Sequence, residues 1–262
     1  MNSVSPRSFL QRFPLPLLTA LLLLAGCATG PKFYSEDYLA GISEQQFSQL
    51  KQELPRATDP EAIALVERVS RRIANAVADE MPAADWEFVL FRQESANAFA
   101  MPGGKIGVFT GLLDFVDSDA ELAAVIGHEI AHVELEHANQ RMSAEALRAL
   151  GGVGAVVLTE DMEEDDRNKV LLAYGIGTQL GAILPYSRYH EREADRRGLM
   201  IAARAGYDPR AAIAFWEKMQ GAGGSAPPEF LSTHPSYRTR LQTLREAMPA
   251  ALEIYRANRP QL

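Results

Sequence analysis

Apolar side chains return every three or four positions between residues 60 and 80, at Ile63, Val66, Val69, Ile73 and Val77, and Asp59-Pro60 ahead of them suits a cap and a first helical turn. That spacing predicts a long amphipathic helix. Residues 118–137 carry the same period at Leu122, Val125, Ile126, Ile130 and Val133, behind Ser118 and Glu121, which read as a capping box. Residues 86–91 and 105–109 are runs of aromatic and branched side chains and predict two strands, joined by a polar, glycine-rich connection. Together they suggest a small antiparallel sheet, with a tight backbone excursion between them at Pro102, Gly103 and Gly104. A strand next to such a helix offers an edge on which an extended peptide can pair, marked here by Asn97, Gly103 and Gly104, and a plain hairpin with a floppy tip would show the same residues.

Downstream, helices are predicted at about residues 142–150, 187–205, 209–220 and 237–247. Gly151, Gly152 and Gly154 read as a break, and the acids of residues 159–166 as a solvated loop without the spacing of a calcium loop. Residues 170–184 are apolar but too few to span a bilayer and predict a buried helix. Between Cys27 and residue 56 only a short helix near residues 44–50 is legible. No repeat period appears, which argues against helical solenoid repeats.

At 262 residues and 47% hydrophobic, the chain can bury one sizeable core. The leader stands apart: Arg7 and Arg12, an apolar run over residues 13–24 broken by Pro14 and Pro16, then Leu24-Ala25-Gly26-Cys27. This is an export signal. Its end resembles the lipobox of bacterial lipoproteins, in which the cysteine is lipidated and becomes the first residue. Cys27 is the sole cysteine, so no disulfide forms within one chain, and lipidation accounts for a lone thiol in an oxidising compartment. In such lipoproteins Ala28 in the next position implies sorting to the outer membrane. The expected organisation is a removed signal over 1–26, a lipid-anchored segment over 27–56 and a catalytic body over 57–262. The formal charge is −8, and removing Arg7 and Arg12 makes it more negative, so nothing favours nucleic acid as a partner.

The chemistry lies in His128-Glu129-Ile130-Ala131-His132. Two histidines four apart on a helix project from one face and can share one metal ion, while Glu129 beside it can take a proton from a metal-bound water. Zinc needs a third protein ligand. Residues 186–195 offer Glu191 and Asp195, again four apart, with Glu193 turned away: Glu191 for the metal, and Asp195 for the free N–H of a ligand histidine. A purely structural charged helix, laced with Arg192, Arg196 and Arg197, would show much the same residues. On a continuous helix His137 lies about 180° from His128 and reads as a surface or capping residue. His190 reads as pointing elsewhere.

The segments NAFAMPGGKIGVFTGLL, GHEIAHVELEH, SRYHEREADRRG, AGYDP and STHPSYRTRL, in that order, resemble the HtpX and CaaX-prenyl-protease-like family of zinc metallopeptidases, in its bacterial lipoprotein branch. The resemblance implies a mainly helical (α+β) zincin-like fold with the HExxH helix beside a small sheet. It further implies a gluzincin arrangement, with one zinc ion on His128, His132 and Glu191 and with Glu129 as base. His234 matches a His-Pro of relatives, on a loop able to act as fourth ligand or latch, and Arg240 matches an arginine suited to polarising the scissile carbonyl. The chain departs from the polytopic members in lacking their transmembrane spans, and from some periplasmic relatives in lacking a C-terminal repeat domain. The expected function is a zinc endopeptidase, lipid-anchored at the periplasmic face of the bacterial outer membrane, that cuts unfolded or misassembled envelope proteins. The alternative is a chaperone-like or assembly-binding periplasmic lipoprotein with a structural or latent zinc site; an intact Glu129 favours the enzyme, since a structural site has no use for a base.

Overall fold

The computed structural model describes residues 30–179, 184–221, 230, 234 and 237–258. The leader, Cys27 and residues 222–229 lie outside the described residues. The chain divides into two compact units, one of Tyr34–Asn139 with Leu184–Leu262, the other of Gln140–Ile183 with the residues before Tyr34.

The larger unit opens with α1 (Glu36–Glu53), capped by the Ser35 side chain, which accepts from the Tyr38 N–H. This helix is far longer than residues 44–50, and it buries Phe47 against Val89 and Phe91 of the sheet. Next comes α2 (Pro60–Asn75), capped by Asp59 and with Pro60 in its first turn, as the sequence predicts. The strands are β1 (Glu87–Phe91), β2 (Ala98–Met101) and β3 (Lys105–Phe109). Their order is β1-β3-β2, with β2 antiparallel to β3 but β1 parallel to it, in the register Glu87↔Lys105 to Phe91↔Phe109. The sheet is therefore mixed, and the expectation of two antiparallel strands fails. The connection between the predicted strands is long enough to hold one of its own, and β2 takes the antiparallel place beside β3, leaving β1 the other edge. Gly103 and Gly104 close the β2–β3 turn at φ of 84° and 90°, a region that glycine enters without a Cβ clash.

One cation ties α1 to this sheet. Lys105 is 4% exposed, yet its Nζ reaches Glu44 Oε2, Asp85 Oδ2 and the Asp85 carbonyl, each at 3.0 Å. Burial opposes the charge, but Glu44 and Asp85 outweigh it and raise the pKa. Both acids face water, so releasing them leaves no buried charge unpaired. Lys105→Met, which keeps the apolar stem, is expected to cost only about 1–2 kcal/mol in urea unfolding; a loss above about 4 kcal/mol would mean that the pair behaves as a fully buried one.

A four-residue helix, α3 (Thr110–Leu113), leads into α4 (Asp119–Glu134), the helix at the centre of the unit. Ser118 Oγ accepts from the Glu121 N–H at 3.3 Å, and the Glu121 carboxylate returns to the Asp117 N–H at 2.6 Å, so the predicted cap forms. Helix α4 packs on α2, on β2, on α7 (Leu184–Arg204) and on α8 (Arg210–Gly221), while α9 (Tyr237–Asn258) lies against α7 and α8. Leu122, Ile126 and Ile130 of α4 share one core with Val66, Ile73, Ile106, Ile201 and Phe215.

The remaining helices, α5 (His137–Leu158) and α6 (Glu164–Thr178), correct three expectations. Helix α5 runs straight through Gly151, Gly152 and Gly154, because glycine weakens a helix by about 1 kcal/mol without forbidding it. The segment expected to be buried lies partly outside the described residues, and its described part is only partly covered: Leu172 is 64% exposed while Thr178 is 8% exposed, and on α5 Leu150 and Val153 are 67% and 63% exposed. The acids predicted as a loop divide, with Glu164, Asp165 and Asp166 forming the first turn of α6, where the helix dipole favours negative charge. No described helix is long and apolar enough to cross a membrane.

Candidate metal centre

Helix α4 presents His128 and His132 one turn apart, and α7 crosses it to present Glu191. The crossing is close: a Cβ on Gly198 would stand 2.6 Å from the His128 backbone nitrogen, and one on Gly127 would stand 2.8 Å from the Gly198 carbonyl oxygen. Only paired glycines allow the two backbones this approach. Arg197 of α7 then fastens the helix end by donating from Nε to Glu134 Oε2 at 2.7 Å.

His128, His132, Glu191 and His234 each place one donor atom within 4.8 Å of the others. His128 Nε2 lies 3.1 Å from His132 Nε2, 3.3 Å from His234 Nδ1 and 3.5 Å from Glu191 Oε2. His132 Nε2 is 3.5 Å from Glu191 Oε1, and His234 Nδ1 is 3.1 Å from Glu191 Oε2. Four ligands held at zinc's usual ~2.0–2.1 Å in a tetrahedron stand about 3.4 Å apart. The donor set therefore fits one zinc ion in both chemistry and spacing.

The surroundings set the charge of each donor. Burial and Arg240 oppose a proton on His128, but Asp195 and Glu191 outweigh them and push its pKa up to about 9. Desolvation and the neighbouring His128 hold His132 well below the ordinary histidine value. Glu191, despite burial, is kept ionised by His128 and His234. Glu129 is 3% exposed, and burial raises its pKa, although His234 and His128 pull the other way. Its Oε1 has no hydrogen-bond partner among the described residues and lies 3.4 Å from His234 Nε2.

Asp195 stands where the sequence places it, with Oδ1 3.1 Å from the far nitrogen of His128, Nδ1. Arg240 does not face an open cleft. It is 2% exposed, its guanidinium lies 3.9 Å over the Trp216 ring, its Nε donates to Asp195 at 3.0 Å and its Nη2 to Glu191 at 2.5 Å. In this geometry it grips both carboxylates, and its Nη2 also stands 3.3 Å from His128 Nε2, at the edge of the donor set. Of the three edge residues, Asn97 stands just before β2, while Gly103 and Gly104 pack their turn against Ala40 and Trp86. Among the described residues β2 pairs only with β3, and it lies along α4.

His137 overturns its sequence reading. Helix α4 stops at Glu134, Glu136 takes φ of 55°, and a new helix begins at His137. The turn swings His137 back to His132, with their Nδ1 atoms 2.9 Å apart, and leaves it 1% exposed. His190 is likewise buried and stacks on it, with ring centroids 4.1 Å apart and planes at 15°. Glu193 stays outside the donor cluster, hydrogen-bonded to the Tyr189 hydroxyl.

Residues 60–248 match the profile of Peptidase family M48. The mitochondrial metalloendopeptidase OMA1 of Arabidopsis thaliana is 40% identical over 185 residues, 70% of this chain and 36% of the relative. Metalloendopeptidase OMA1, mitochondrial, of Homo sapiens is 37% identical over 178 residues, 65% of this chain and 34% of the relative. The β-barrel assembly-enhancing protease of Yersinia pestis is 32% identical over 207 residues, 75% of this chain and 41% of the relative. The chain thus spans well under half the length of each of these relatives.

Proposed function

The chain belongs to peptidase family M48, and we propose that it is a zinc endopeptidase of that family's bacterial lipoprotein branch, anchored through Cys27 at the periplasmic face of the outer membrane, where it cuts unfolded or misassembled envelope proteins. The observation that carries the enzymatic part is the placing of Glu129: a buried carboxylate, one of whose oxygens accepts no hydrogen bond from the described residues, on the turn that also bears His128 and His132. His128, His132 and Glu191 would hold a zinc ion, which would supply Lewis acidity and lower the pKa of water towards ~7. Glu129 accepts the proton of the attacking water and hands it to the departing amide nitrogen, a transfer favoured by its raised pKa. Asp195 orients the ring of His128, and Arg240 holds Asp195 and Glu191 in place. The edge of β2 offers its backbone groups to an extended peptide, which suits a substrate without secondary structure. The envelope setting draws on the leader and lone Cys27, and on the likeness to a β-barrel assembly-enhancing protease.

The purified full chain should cleave casein, lose that activity to a chelator and regain it with zinc. No chelator-sensitive cleavage would favour the alternative of a chaperone-like lipoprotein with a latent site. Cys27→Ser should release the chain from membranes or stall its processing; a Ser variant processed normally and still bound would replace the lipid by protein contacts.

His234 supports a further reading of the same site, a latch. It sits at the fourth corner of the donor set and also faces Glu129, so it holds the space that water and substrate need. His234→Ala is expected to bind zinc several-fold more weakly yet to raise kcat on an unfolded substrate. A lower kcat would instead place His234 on the transition state.

A further inference from the structure

The two zinc-site histidines are backed differently. His128 has a carboxylate behind it, the usual device for fixing the ring of a ligand histidine. His132 has a second imidazole. Its Nε2 faces the donor cluster and so must be free of a proton to act as a ligand, which leaves its hydrogen on Nδ1. That Nδ1 is 2.9 Å from Nδ1 of His137. Two ring nitrogens at this distance need one hydrogen between them, so His137 Nδ1 is the acceptor and its own hydrogen sits on Nε2. His137 Nε2 faces Glu193 Oε2 at 3.5 Å, an electrostatic contact rather than a hydrogen bond, and that carboxylate when ionised favours a hydrogen on the nitrogen facing it.

We propose that His137 and Glu193 form a directed relay that sets the tautomer and ring orientation of His132, making His137 a positioning residue of the zinc site. The hydrogens run one way: His132 Nδ1–H to His137 Nδ1, then His137 Nε2–H towards Glu193. Each part of the fold contributes. The turn at Glu136 brings His137 beside the end of α4, the stacked His190 ring holds the plane of His137, and the Tyr189 hydroxyl donates to Glu193 Oε1 at 2.8 Å and steadies its carboxylate. His137 is 1% exposed, so bulk water does not substitute for it as the acceptor. This inference rests on the zinc reading of the donor cluster and adds to it what holds one of the ligands.

Two replacements of His137 separate the hydrogen bond from the packing. His137→Phe keeps a ring against His190 and removes the acceptor, whereas His137→Asn places an amide oxygen near the position of Nδ1. Zinc affinity of the purified full chain is measured by competition with a chromophoric chelator, the visible bands of the cobalt-substituted protein report ligand geometry, and melting of the metal-free protein reports folding. The Phe variant is expected to bind zinc about 10–100-fold more weakly and to shift the cobalt bands, with metal-free melting close to the parent's, and the Asn variant to recover most of the loss. Glu193→Leu should weaken binding by a smaller factor, and His137→Phe with Glu193→Leu no more than His137→Phe alone, because Glu193 acts through His137. If the parent binds one zinc ion and the Phe variant binds it equally well, or the Asn variant is no better than Phe, the relay fails while the zinc site stands. Independent, multiplying losses in the double variant would remove Glu193 from it. A parent that binds no zinc overturns both.

Discussion

Glu129→Gln is expected to keep a full complement of zinc and to lose about 10²–10⁴-fold in kcat, at the edge of detection with an unfolded protein substrate. The amide has the shape of the carboxylate but cannot take a proton at neutral pH. Glu129 is not one of the four clustered donors, so its neutralisation leaves the metal's ligands in place. Its oxygen without a hydrogen-bond partner among the described residues means that the substitution breaks no described bond at that atom, and removing a buried charge does not destabilise the fold. Metal analysis and a casein assay on the same preparation decide the matter: zinc lost together with activity would make Glu129 a structural group. Glu191→Gln should behave oppositely, lowering metal content and activity together, since it weakens a ligand that Arg240 and His234 are built around.

The second large effect is expected where the two ligand-bearing helices cross. Gly198→Ala should cost about 3 kcal/mol of stability and weaken zinc binding by more than tenfold. The added methyl would stand 2.6 Å and 2.7 Å from the backbone nitrogen and Cα of His128, atoms that cannot turn aside as a side chain can. Helices α4 and α7 must therefore separate by roughly 1 Å, and Glu191 moves away from the two histidines by a similar distance. Gly154→Ala is the matched control, because a methyl there meets nothing within 4 Å and should stabilise α5 by a few tenths to about 1 kcal/mol. Thermal melting and chelator competition on the pair test the idea; a Gly198→Ala protein with unchanged zinc affinity would show that the crossing has slack.

The sequence made the metal helix readable because everything needed was local. Ser118, Glu121, the apolar period and the His-Glu-x-x-His spacing all lie within one continuous segment, and the cap forms as they imply. Glu191 and Asp195 were legible for the same reason, as a pair spaced for one face of a second helix. His137 was not, because its position depends on Glu136 adopting a left-handed conformation without the glycine that usually announces one. Extrapolating a straight helix through that residue sends His137 to the wrong side. The parallel pairing of β1 with β3 was hidden for a different reason: a strand's period tells which face is buried but not which neighbour it will meet. Arg240 shows a third limit, since an arginine's reach into a buried box of Trp216, Asp195 and Glu191 follows from how α7, α8 and α9 pack.

The α5–α6 hairpin carries apolar side chains such as Leu150, Val153 and Leu172 in the open, and none of its apolar residues belongs to the clustered core among the described residues. Helices held by so little burial open in fluctuations that leave the rest of the molecule folded, since local opening costs only what the local contacts supply. The amides of residues 144–175 should accordingly exchange with deuterium well ahead of those of α4, and limited trypsin treatment should nick the folded chain first at Arg148, Arg167 or Lys169. The polypeptide would then be cut between His132 and Glu191 while the β-sheet and α4 remain whole.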